Sequence, residues 1–323
     1  MSRFLVVLGT TSHSGKSTLV ASICRLLSDR GLKVAPFKSQ NMSLNSWVTR
    51  SGGEMGIAQA VQAWAARVEP REEMNPILLK PKGDRTSQVI VMGQPVADKS
   101  AAEYYRDIEP LKDVVDRAIE ELEKEYDYII VEGAGGAAEI NLFDRDIANI
   151  YVARRLQAPI ILVGDIERGG VFASLFGSVE LLPPDLRPLV RGLVINKFRG
   201  DPTIFAPGVK KIEELTGIPV LGVVPWFTIP LPSEHSLSIQ DTITKPARVR
   251  IAVVRLPKIS NFTDFELLII DDGSTDTSAD IVRSYEDQRL QLFFNERNRG
   301  LEFTLNRGIQ LARGKYLARM DAD

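Results

Sequence analysis

Soft metal ligands are scarce in this sequence: its 323 residues include one cysteine, Cys24, and two histidines, His13 and His235. A lone cysteine excludes an internal disulfide and a cysteine-built metal centre, and it suits a reducing, cytoplasmic setting. The two histidines stand far apart, without the spacing of a metal-binding pair. Excess charge of either sign is also lacking, since 40 basic residues face 42 acidic ones. Without a broad basic surface, no nucleic-acid partner is expected. No apolar run reaches the roughly 18 residues needed to cross a bilayer, so no membrane span is expected. The apolar stretch 4–8 is too short for a signal-peptide core, and a glycine-rich turn follows it in place of a cleavage site.

What is present is alternation. Short β-branched runs at 4–8, 34–37, 128–131, 159–163, 192–195 and 220–224 each end near Gly, Asp or Asn. Such runs read as strands of a parallel sheet covered on both faces. Helical patterns lie between them; in 111–123, Leu111, Val114, Val115, Ala118, Ile119 and Leu122 form one apolar stripe. The pattern predicts a doubly wound, mostly parallel α/β sheet with ligands at the carboxyl ends of its strands. The proline-rich stretch 225–248 reads as a linker.

The first run leads directly into Gly9-Thr10-Thr11-Ser12-His13-Ser14-Gly15-Lys16-Ser17-Thr18, and a helical pattern follows. Glycines let backbone N–H groups face phosphate oxygens, and the helix N-terminus adds partial positive charge. Lys16 would reach the β- and γ-phosphates, and the Ser17 hydroxyl would ligate Mg²⁺. Gly9, Thr10, Thr11, Ser14, Gly15, Lys16, Ser17 and Thr18 are therefore the nucleotide-binding candidates. An ordinary Gly/Ser turn shares the composition but not the strand–loop–helix register. The run ending at Val131 is followed by Glu132-Gly133-Ala134-Gly135-Gly136. A strand-terminal carboxylate beside a phosphate cradle suits a metal, directly or through water, which makes Ser17 and Glu132 the metal candidates. A solvated glutamate is the plainer alternative.

Together these motifs resemble the dethiobiotin synthetase-like branch of P-loop enzymes. Further stretches at 37–46 (Phe-Lys-Ser-Gln-Asn-Met-Ser-Leu-Asn-Ser), 139–147, 165–172 and 194–201 are similar to the cobyric acid synthase family, over about residues 1–264. The resemblance implies an ATP- and Mg²⁺-dependent ligase that amidates carboxylates b, d, e and g of the corrinoid cobyrinic acid a,c-diamide through acyl phosphates. It implies catalytic roles for Lys16, Lys38 and Glu132. Gln40, Asn41, Ser43 and Asn45 either hydrogen-bond corrin arms or form a capped, solvated loop. Asn141, Asp144 and Asp146 would shape the substrate pocket, with an Asp144–Arg145 surface pair as the alternative for that stretch. Asn196 would read the nucleotide base.

The same resemblance assigns 1–224 to an ATP-binding amidoligase domain and 249–264 to the remnant of a glutaminase start. No cysteine follows Cys24 and no histidine follows His235, so a glutaminase nucleophile is not expected and ammonia would come from a separate source. Residues 265–323 resemble a truncated family 2 glycosyltransferase of the GT-A type, a small and incomplete α/β segment. Asp271-Asp272-Gly273-Ser274 and the terminal Asp321-Ala322-Asp323 carry that likeness, with Asp272 in the place of a nucleotide contact. Two other readings stand beside the ligase: a nucleotide-sugar-dependent transferase fragment, and a non-enzymatic P-loop switch ATPase. The polar run 40–46 and the lack of a second lysine early in the loop disfavour the switch.

Overall fold

The computed structural model describes residues 2–82, 85–106, 108–227, 267–274, 277, 280, 283 and 290–311. The chain divides into two compact units, Met1–Ile239 and Gln240–Asp323.

The first unit opens with β1 (Arg3–Gly9), α1 (Lys16–Asp29) and β2 (Val34–Phe37). An insertion follows, with β3 (Gln40–Met42), β4 (Ser46–Val48), β5 (Glu54–Gly56) and helix α2 (Ile57–Ala65). It continues through β6 (Ile77–Pro81), β7 (Thr86–Val91), β8 (Gln94–Ser100) and α3 (Ala101–Arg106). Alternation then resumes with α4 (Glu109–Glu123), β9 (Tyr128–Glu132), α5 (Ile150–Leu156) and β10 (Ile160–Asp165). Helix α6 (Val171–Leu181), β11 (Val190–Phe198), α7 (Pro202–Thr216) and β12 (Val220–Pro225) complete it.

Six strands form one sheet in the order β2-β9-β1-β10-β11-β12. Every neighbouring pair is parallel, as the six apolar runs predicted. Side chains alternate across it. Val6 and Leu8 join Phe37, Ile129, Val131 and the α4 residues Val115, Ile119 and Leu122 in one core layer. Val7 joins Val20 and Cys24 of α1, with Val34, Ile130 and Val163, in the other. Strands buried on both faces need apolar residues at every position, which is why they read as unbroken runs. Each such side chain contributes about 1.5–3 kcal/mol by leaving water.

The insertion builds a second sheet, β3-β6-β7-β8, and β4 pairs antiparallel with β5. It springs from the carboxyl end of β2, on the edge of the main sheet where β1 and β9 also end. Among the described residues no helix is long and apolar enough to cross a membrane.

In the second unit, β13 (Leu267–Asp271) pairs parallel with β14 (Leu290–Phe294), and α8 (Leu301–Leu311) follows. Residues 228–264, which hold most of the expected linker and all of the glutaminase-like stretch, lie outside the described residues, as does the terminal Asp-x-Asp pair.

Candidate functional site

The register of three strands builds the site. Val7 of β1 pairs with Glu132 of β9, and Phe37 of β2 pairs with Val131. The residue after Phe37, Lys38, is thereby level with Glu132 at the sheet's carboxyl edge. Beyond the end of β1, the chain turns through residues 10–15 and enters α1 at Lys16, so the positive end of the helix faces the same edge.

The loop closes on its own lysine. Lys16 Nζ donates to the Thr11 carbonyl at 2.9 Å and to the Gly135 carbonyl at 2.7 Å. It thus ties the loop after β1 to the glycine-rich turn after β9, and is itself buried. A Cβ on Gly9 would stand 2.4 Å from Ser14 Oγ and 2.8 Å from Lys16 Nζ, so a larger residue here has to displace these side chains. Ser14 Oγ is buried without a hydrogen-bond partner among the described residues. Thr10 is half-buried, Thr11 exposed, and the half-buried Thr18 gives its carbonyl to Ser22. An orphaned hydroxyl, a glycine-lined turn and a lysine at a helix N-terminus fit a phosphate group.

Glu132 is the hub. Its carboxylate is buried, and Oε1 accepts from Ser17 Oγ and from Lys38 Nζ, each at 2.8 Å. Oε2 accepts from Gln62 Nε2, and from Gln59 Nε2 at 3.4 Å. Burial works to raise its pKa, but the Lys38 charge and the hydrogen bonds from Lys38, Gln62 and Ser17 outweigh it. The carboxyl is held below its ordinary range. Ser17 spends its one proton on Glu132, which leaves its lone pairs for a cation. Hard oxygen donors of this kind suit Mg²⁺, which takes few protein ligands and completes its shell with phosphate oxygens and water. No cluster of three or more acidic, His or Cys side chains offers another metal site among the described residues.

The insertion supports that hub. Gln59 Oε1 accepts from Asn41 Nδ2 at 2.9 Å, and Gln62 Nε2 also reaches the Ser17 carbonyl at 3.3 Å. Asn75 donates to the Lys38 and Ile77 carbonyls, both at 3.0 Å, while its Oδ1 accepts from the Gly56 N–H. Neither glutamine stood out in the sequence, because both lie in an alanine-rich helix. Two amides three residues apart in Ile57-Ala58-Gln59-Ala60-Val61-Gln62 were the available signal, since i and i+3 share a face.

The four polar residues of the 40–45 stretch are integrated into the insertion. Gln40 Oε1 accepts from the Tyr104 hydroxyl at 2.6 Å, and Asn41 is buried against Gln59. Ser43 Oγ donates to the Asn45 carbonyl at 2.7 Å and accepts from the Asn45 N–H at 3.1 Å. Asn141, in contrast, is exposed in the turn that precedes α5. Asp146 is committed to the backbone: Oδ1 accepts from the Ala148 and Asn149 N–H groups at 2.9 and 2.7 Å, and Oδ2 from Asn149 Nδ2 at 2.9 Å. Asn149 in turn clasps Ala134 through its N–H at 3.0 Å and its carbonyl at 2.8 Å. Asp146 therefore fixes the turn after Glu132 from behind.

On the other side of the loop, Asn196 Nδ2 donates to the Ser14 carbonyl at 2.9 Å. Lys197 pairs with Asp165 at 2.7 Å. Arg199 lies over the Trp226 ring, 3.7 Å from its centroid.

In the second unit, Asp272 is likewise used by its own fold. Its carboxylate accepts from the Arg299 and Gly300 N–H groups, both at 2.8 Å, and from Asn295 Nδ2 at 2.7 Å. These bonds, the Arg299 N–H first, hold it below the usual carboxylate range.

Residues 5–237 match the CobQ/CobB/MinD/ParA nucleotide binding domain, and residues 246–323 match glycosyl transferase family 2. A protein of Methanoregula boonei named "Probable cobyric acid synthase" is 64% identical over 264 residues, covering 82% of this chain and 55% of its own length. One of the same name from Methanoculleus marisnigri is 64% identical over 266 residues, covering 82% and 54%. The chain thus spans about half the length of the curated relatives it matches. Among solved structures, the signal recognition particle receptor FtsY of Elizabethkingia anophelis aligns with 69% of this chain and 58% of its own, at a TM-score of 0.42 and 16% identity.

Proposed function

The chain belongs to the CobQ/CobB/MinD/ParA nucleotide-binding family, and from that footing we propose that it is the ATP-using part of a cobyric acid synthase-type amidation. The substrate in this reading is cobyrinic acid a,c-diamide or its adenosyl form, whose b, d, e and g carboxylates become carboxamides. The observation that carries it is the convergence of Lys16, Ser17, Lys38 and Glu132 on one sheet edge. The two relatives whose name is cobyric acid synthase support the substrate class.

The chemistry suits these groups. A carboxylate resists ammonia, because its charge repels the nucleophile and oxide is a poor leaving group. In the first step a substrate carboxylate oxygen attacks the γ-phosphorus of ATP, the bond to the β,γ-bridging oxygen breaks, and ADP leaves. In the second, ammonia attacks the acyl carbon, loses a proton, and expels inorganic phosphate. Lys16 and Lys38 would neutralise the negative charge that gathers on the moving phosphoryl group, and such charge is worth several kcal/mol at a water-poor site. Ser17 and Glu132 would hold Mg²⁺, which when bound supplies positive charge to the β- and γ-phosphate oxygens. Gln40, Asn41, Ser43 and Asn45 shape the neighbouring insertion, where the corrin arms would bind. Asn141 and Asp146 would border it, and Asn196 would face the base.

The test is incubation of the chain with ATP, Mg²⁺, ammonium and cobyrinic acid a,c-diamide. Mass spectrometry should count up to four added amides, with phosphate release that depends on the corrinoid. Phosphate release indifferent to the corrinoid would favour the switch-ATPase alternative instead.

A further inference from the structure

One oxygen of Glu132 serves two masters. Lys38 Nζ and Ser17 Oγ both lie 2.8 Å from Oε1, while Oε2 is held by the amides of Gln59 and Gln62 from α2. The amides fix the carboxylate's orientation, so the ammonium and any cation ligated by Ser17 meet at the same oxygen. Lys38 and Glu132 are both almost wholly buried, with side chains 5% and 1% exposed. In such surroundings an ionised carboxylate is costly without a positive partner, and a second full positive charge on the same oxygen is repelled by the first.

We infer that Lys38 is the resident counter-cation of Glu132 and yields Oε1 when a divalent cation arrives with the nucleotide. The lysine's charge is then released toward the phosphoryl group only once the metal is in place. Binding of the metal and deployment of the lysine become one event, which orders the site before any phosphoryl transfer. This rests on the nucleotide-and-metal reading proposed above. It adds that Lys38 competes with the metal and does not help to recruit it.

That sign is open to measurement without turnover. Mn²⁺ is titrated by electron paramagnetic resonance into the chain saturated with the β,γ-imido analogue of ATP. Lys38→Met should bind Mn²⁺ at least about tenfold more tightly than wild type, because one competing charge is gone. In the charge-neutral pair Lys38→Met with Glu132→Gln, the gain should vanish relative to Glu132→Gln alone. Unchanged or weaker Mn²⁺ binding by Lys38→Met, with analogue affinity intact, overturns the competition while leaving the nucleotide reading standing. Failure of the wild type to bind the analogue at all would sink both.

Lys38→Met leaves a buried carboxylate unpaired, so folding is checked by circular dichroism. A second measurement uses wild type alone: reductive methylation of Lys38, followed by peptide mass spectrometry, with ADP plus Mn²⁺ against ADP plus chelator. ADP has no γ-phosphate to take up the freed ammonium, so the metal should raise Lys38 labelling several-fold. Labelling insensitive to Mn²⁺ overturns the inference.

Discussion

Asn196 grips the phosphate loop at its tightest point: its Nδ2 donates to the Ser14 carbonyl at 2.9 Å, and a Cβ on Gly15 would stand 1.9 Å from that same nitrogen. Gly15 also has φ +98°, in the left-handed region, where an L-residue costs about 1–2 kcal/mol. Gly15→Ala should therefore displace Asn196 and open the loop, weakening nucleotide binding by at least about tenfold. Titration with a fluorescent ATP analogue measures this, with circular dichroism to show that the sheet persists. Wild-type affinity would mean that the loop's turn does not cradle phosphate.

Lys16→Ala should lower corrinoid-dependent turnover by roughly a hundredfold or more, since in the proposed reaction this lysine supplies charge to the phosphates. The same change deprives the Thr11 and Gly135 carbonyls of a donor. A modest loss of stability, about 1 kcal/mol, should accompany it. Near-normal phosphate release in this variant would count against the assignment of the loop.

Glu132→Gln leaves Lys38 as an uncompensated buried cation and should cost about 3–5 kcal/mol of stability at neutral pH. The folded carboxyl titrates below its ordinary range. Its contribution is therefore present above about pH 4.3, the unfolded value, and lost as pH falls through the lower folded one. Denaturant titrations of both proteins, run from neutral pH into acid, should show the gap between them closing only below the unfolded value. A gap that stays constant into strong acid would contradict the ion pair's role.

Within residues 1–323 the nitrogen should come from ammonium and not from glutamine. Cys24 is the single cysteine, lies on the buried face of α1, and has its thiol pushed up by burial, so it is no nucleophile. Assays of this polypeptide with each donor, following glutamate alongside amide, decide the point. Glutamate appearing in step with amide would overturn it.

The central sheet was legible because burial on both faces leaves an unbroken apolar run, and all six runs became strands. The convergence of Lys16, Ser17 and Glu132 was legible for a related reason: Glu132 closes a strand and Lys16 and Ser17 open a helix, positions that the apolar runs mark. The insertion was not. Its strands β3, β4 and β5 are three residues each, too short for a period of two to declare itself. Gln59 and Gln62 were masked by the alanines around them. Asp146 carried a signal that points to structure, an aspartate just before a short turn, where its carboxylate can accept from the N–H groups two and three residues on.

Everything that distinguishes the insertion is tethered at one edge of the main sheet, between the end of β2 at Phe37 and the start of α4 at Glu109. None of its strands interleaves with the six of the central sheet. The strand order of the main sheet is thus independent of the insertion's strands, yet the two are welded beneath, since Ala63, Met74, Ile77 and Leu79 share one core with Val6, Leu8 and Phe37. At Glu132 a change in the insertion reaches the site directly, through the two amides of Gln59 and Gln62.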